Sequence, residues 1–126
     1  RLVQELRQAS RLGDRVRAAL ALAQAGDRQG LDVLLEAFGD GQFRFMAALG
    51  LAALGDARAI PVLRLSLEHT SLRREAAESL RRFGVNDDYA LLLRDMESSH
   101  APTRISAAVA VYILTTPASG KGAAHG

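Results

Sequence analysis

Four arginines fall into one column of this sequence, Arg15, Arg44, Arg73 and Arg104, separated by 29, 29 and 31 residues. A planar guanidinium presents a fork of donors that matches carboxylate and phosphate oxygens. A regular row of them is therefore the first candidate for chemistry, as a polyanion site such as one for a nucleic-acid backbone. A second basic set, Arg73, Arg74, Arg81 and Arg82, shares its segment with Glu75 and Glu78. Opposite charges at spacings of three and four residues read instead as a solvated helix face. Nucleic-acid binders usually add lysines and stacking aromatics; here Lys121 is the one lysine and aromatics make up 5% of the chain.

Catalysis has no residues to stand on. His69, His100 and His125 form no helical metal pair, and with no cysteine there is neither thiolate ligand nor thiol nucleophile. No serine occupies a nucleophile elbow and no glycine-rich segment has phosphate-loop spacing; Gly39-Asp40-Gly41 is a turn signal. Asp87-Asp88 is accounted for by helix capping. The expectation is a non-enzyme with no catalytic residue, no metal and no cofactor. Sixteen basic against 14 acidic residues give a net charge of +2, too little for a field of one sign. The longest uncharged run, 105–120, is interrupted by Ser106, Thr115, Thr116 and Pro117, whereas a span needs about 20 apolar residues. A cytoplasmic location is expected; the first residue is Arg1 rather than Met, so the reading of a fragment stays open.

The elements that must position these residues emerge from the same column. Three and four places after each arginine come Ala18-Ala19, Ala47-Ala48, Ala76-Ala77 and Ala107-Ala108. Seven places after come Leu22, Leu51, Leu80 and Val111, and ten places after come Ala25, Leu54, Phe83 and Leu114. These offsets follow the helical period, so each row is one apolar stripe. Gly26, Gly55 and Gly84 close three of the four segments, where a left-handed residue suits glycine. A second short apolar segment follows each glycine: Leu31, Val33, Leu34 and Phe38; Ile60, Val62, Leu63 and Leu67; Tyr89, Leu91, Leu92 and Met96. Asp27, Asp56 and Asp87 are placed to cap these segments, with Pro61 in a first turn. The repeating unit is a helix, a tight turn and a second helix. It is too small to bury its own stripe, so units must stack.

The paired alanines, Leu51, Gly55-Asp56 and Ala59-Ile60-Pro61 resemble the HEAT-like repeats also found in phycobilisome lyase proteins, over roughly residues 1–115. That resemblance implies an all-α, right-handed α-solenoid of HEAT-like helical hairpins. About seven or eight short helices are expected near 1–11, 14–25, 30–38, 42–54, 57–69, 71–83, 87–97 and 102–115, forming a domain of residues 1–115 before a flexible tail or expression remnant at 116–126. It also implies an inter-repeat ladder in which Asp27 meets Arg44 and Asp56 meets Arg73, and a partner surface on the second helices. Val85 departs from the pattern by replacing the aspartate, and the fourth unit has no recognisable second helix.

The function so expected is a non-enzymatic scaffold that binds another protein, or further domains of its own parent chain, through a solenoid face. The candidate contacts are Asp32, Glu36, Leu65, Glu68, Arg94, Asp95 and Glu97. Two other readings stand beside it: a chaperone-like subunit of a bilin (tetrapyrrole) lyase, and nucleic-acid backbone binding through the arginine rows. The last helix carries a separate expectation. Ile105, Val109, Tyr112 and Ile113 add a second apolar face to Ala107, Val111 and Leu114, and exposed apolar surface of that extent marks a contact. Its tail, a continuation of the parent chain or a second copy would cover it.

Overall fold

The computed structural model describes residues 11–84 and 89–116. Among these, seven α-helices follow one another: α1 Leu12–Gln24, α2 Leu31–Phe38, α3 Arg44–Ala53, α4 Ile60–Ser66, α5 Arg73–Arg82, α6 Ala90–Asp95 and α7 Ala101–Thr115. No strand occurs among the described residues. The expected helix at 1–11, the Asp87 cap, Val85 and the tail from Pro117 onward lie outside them, apart from Arg11. Among the described residues no helix is long and apolar enough to cross a membrane.

Short 3-10 turns at Arg28–Gly30 and Ala57–Ala59 lead into α2 and α4, so the α-helices begin at Leu31 and Ile60, where their apolar segments start, rather than at the expected 30 and 57. The cause is local. Asp27 accepts a hydrogen bond from the Gln29 N–H at 2.9 Å and Asp56 one from the Arg58 N–H at 3.0 Å, which tightens the entry turn and satisfies an orphan donor.

The chain divides into two compact units, residues 1–62 and 63–126. In the first, α1 packs on α3 and both pack on α2. Val16, Ala19, Leu34, Ala37, Ala47, Ala48 and Leu51 are completely buried there. Small residues set the spacing: a Cβ added at Gly30 would stand 2.7 Å from the Ala19 Cβ and 2.8 Å from its Cα, closer than any carbon contact allows. In the second, α7 packs on α5 and α6, around Leu63, Ala76, Ala77, Leu80, Leu92, Ala107 and Ala110.

The glycines end their helices as expected. Gly26, Gly55 and Gly84 have φ of 83°, 76° and 71°. After Gly26 the Asp27 N–H reaches back to the Leu22 carbonyl at 2.8 Å, and after Gly55 the Asp56 N–H reaches the Leu51 carbonyl at 2.9 Å. These are the long bonds of Schellman motifs.

Candidate functional site

Three of the four column arginines bond to the chain's own backbone. Arg44 Nε donates to the Phe38 carbonyl at 2.9 Å, Arg73 Nε to the Leu67 carbonyl at 2.7 Å, and Arg104 Nη1 to the Ser98 carbonyl at 3.0 Å. Each acceptor lies six residues earlier. A cation in the first turn of a helix opposes that helix's own dipole, but beside the last carbonyls of the preceding helical segment it is stabilising. The column thus closes the connection from each second helix to the next first helix. Arg15 donates instead to Glu36 at 3.1 Å, across the surface of the first unit.

This geometry corrects the expected ladder. Asp27 is engaged by Gln29, through its backbone at 2.9 Å and its side chain at 3.1 Å, while Arg44 serves the Phe38 and Gly39 carbonyls. Asp56 is held by Arg58, whose Nη2 lies 2.6 Å from Oδ2. That side-chain bond is the main reason the Asp56 carboxyl titrates below the ordinary range. A carboxylate two residues before a donor is captured locally.

Arg73 differs from the rest of its column and from the solvated face expected of it. Only 1% exposed, it makes three bonds at once: to the Leu67 carbonyl beyond α4 at 2.7 Å, to Asp95 Oδ2 at the end of α6 at 2.9 Å, and to Ser106 Oγ in α7 at 3.0 Å. The Ser106 hydroxyl in turn donates a hydrogen bond to the Thr103 carbonyl at 3.0 Å. Arg94 adds bonds of 3.2 Å to Asp95 Oδ1. The hydrogen bond from Arg73 is the largest influence on the Asp95 carboxyl and holds it below the usual range. The other members, Arg74 and Arg82, are exposed and Arg81 is half-buried.

Two of the expected contact regions adjoin acceptors of Arg73: Leu65 lies two residues before Leu67, and Leu93 two residues before Asp95. They are 63% and 52% exposed, against the rule that large apolar side chains cluster inside. Glu68, Arg94 and Glu97 are exposed beside them. Asp95, expected among the contacts, is instead the acceptor that holds the arrangement together. Asp32 and Glu36 are exposed on α2 of the first unit, Glu36 already paired with Arg15. Leu93 was not among the expected contacts. Its apolar run Leu91-Leu92-Leu93 conceals which leucine faces out, and only Leu92 is buried.

Of the terminal candidates, Ile105, Val109 and Tyr112 are exposed at 58%, 36% and 68%, whereas Ile113 is 7% exposed and belongs to the core. At 3.6 residues per turn Ile113 sits about 80° around the helix from Ile105, towards Ala110, one turn back, which is buried. Among the described residues no three His, Asp or Glu side chains come together as a metal site would require.

No curated protein matches the chain. A family model of HEAT repeats matches residues 1–71, more than half of the sequence. The hairpins, their Schellman glycines and their recurrent arginines agree with that match, and the chain belongs to the HEAT-repeat family.

Proposed function

We propose that residues 1–115 form a non-catalytic scaffold that docks a partner protein on the second helices of its second unit, with Leu65 and Leu93 as apolar anchors and Glu68, Arg94 and Glu97 as their polar rim. HEAT repeats are commonly protein-interaction scaffolds. The observation that carries the reading is the pair of leucines, more than half exposed, each two residues before a residue that one buried arginine bonds, Leu67 through its carbonyl and Asp95 through its carboxylate. Rigid presentation of this kind reduces the ordering cost of association, and apolar anchors ringed by polar groups are how binding energy concentrates. The arginine row offers the nucleic-acid reading little, because Arg44, Arg73 and Arg104 spend their guanidinium bonds on the chain's own carbonyls.

The test uses peptides selected from a random display library against the full chain. Removing two part-exposed leucines forfeits about 2 kcal/mol of apolar burial, roughly a thirtyfold rise in Kd. The Leu65→Ser/Leu93→Ser variant should therefore bind the selected peptides at least tenfold more weakly while its circular dichroism and unfolding midpoint stay unchanged. Equal affinity for both proteins would overturn the assignment.

A further inference from the structure

We propose that α6 is a latched element: it undocks from the second unit on its own while α5 and α7 stay packed, and the bond between Arg73 and Asp95 is the catch that holds it closed. Local opening of this kind begins where few apolar side chains are buried. Of the six residues of α6 only Leu92 is buried. By contrast α5 buries Arg73, Ala76, Ala77 and Leu80, and α7 buries Ala107, Ala110, Ile113 and Leu114. Helices α5 and α7 pack directly on each other, and α6 packs on α7. The contact of α5 with α7 therefore persists without α6.

One buried leucine is a weak hold, since a helix of six residues has no stability of its own. Tyr89 and Ala90, at the N-terminal end, have interactions of their own. At the C-terminal end the hold is Asp95, three residues after Leu92 and so on the same side of the helix. Its Oδ2 accepts the Arg73 Nη2 bond at 2.9 Å. Arg94 bonds Oδ1, but it belongs to α6, moves with it and anchors nothing.

Arg73 can lose this bond without being stranded. Removing the partner of a buried cation is ordinarily costly because the charge is left uncompensated. Here two of the three bonds, to the Leu67 carbonyl and to Ser106 Oγ, come from outside α6 and remain. Asp95 leaves with Arg94 still on its other oxygen, and its side chain is already 16% exposed. Neither charge is orphaned, so the catch closes α6 and can also release it. Leu93 rides on α6 and is exposed; on the docking reading above, on which this consequence alone rests, the leucine pair is complete only while the catch is closed.

Amide hydrogen exchange of the full chain, with no partner present, tests the latch separately from the docking reading. The Leu93 and Met96 N–H groups, bonded to the Tyr89 and Leu92 carbonyls at 2.8 and 3.0 Å, report on α6. Their protection should be lower than that of Ala77 in α5 and Ala110 in α7 by about a hundredfold or more. Low urea should leave it nearly unchanged, because undocking one short helix exposes little surface. Asp95→Asn should speed exchange at Leu93 and Met96 about tenfold, the ordinary worth of one hydrogen bond to a charged group. Arg94→Gln, which removes the partner that moves with the helix, should leave their exchange nearly as it is. One protection factor and one urea dependence shared by α5, α6 and α7 in the unsubstituted chain would overturn the proposal, and so would equal effects of Asp95→Asn and Arg94→Gln.

Discussion

Replacing Arg73 by methionine isolates what the buried guanidinium does. Methionine keeps an apolar stem of similar length, so the lost interactions are the three bonds at 2.7, 2.9 and 3.0 Å. Hydrogen bonds to a charged group are worth about 1.5 kcal/mol or more each, which would total between four and five. Two features reduce that figure. Water reaches the Asp95 side chain, which is 16% exposed, and Ser106 keeps its bond to the Thr103 carbonyl. About 3 kcal/mol remains, at the lower edge of what breaking a buried pair costs. For a chain of this size that lowers Tm by about 10 °C. Urea unfolding followed by circular dichroism measures it, with Arg44→Met as the comparison. Arg44 is exposed and bonds only to two carbonyls, so its loss should cost about 1 kcal/mol. Equal costs for the two variants, or less than about 1 kcal/mol for Arg73→Met, would refute the idea that Arg73 organises the second unit.

Further outcomes follow from the same geometry. The carboxyls of Asp56 and Asp95 are held below the ordinary range by hydrogen bonds from Arg58 and Arg73 respectively, so their contribution to stability is complete above about pH 4. It is lost as pH falls through the lowered folded values; the urea midpoint should drop on acidification, and less steeply in Arg73→Met. Gly30→Ala should destabilise by about 2 kcal/mol, because its Cβ would press on the Ala19 backbone in a packed interior. Gly55→Ala, with open space but a φ of +76°, should cost about 1 kcal/mol from backbone strain alone, and Gly41→Ala, with neither problem, should be close to neutral in the same denaturation assay. A double-mutant cycle on Asp27→Ala and Arg44→Ala should give coupling below about 0.5 kcal/mol, since each side chain has other partners; a larger value would restore the ladder.

The hairpins were legible because their signals are local: a period of 3.6 in the apolar residues, glycine where φ is positive, aspartate two residues before an N–H it can accept from. The partners of the arginines were not. Two residues at the right offsets, Asp56 and Arg73, suggested an ion pair, yet Asp56 is consumed by Arg58 within its own turn. The stronger signal was the placement of arginine in a first turn, where the helix dipole disfavours it and the previous segment's carbonyl end attracts it. Arg73 as a buried hub depends on Asp95 and Ser106, 22 and 33 residues away, and nothing in the local pattern distinguishes it from Arg44. Ile113 was misplaced for a related reason: on a helix apolar nearly all round, periodicity does not say where the buried face ends.

The direct test of the binding surface is amide chemical-shift mapping on isotope-labelled full chain titrated with a library-selected peptide. Shifts are expected to cluster at residues 63–68 and 91–97, around Leu65 and Leu93, with Arg15, Arg44 and Arg74 undisturbed. Shifts centred on those arginines while the leucine amides remain still would contradict it.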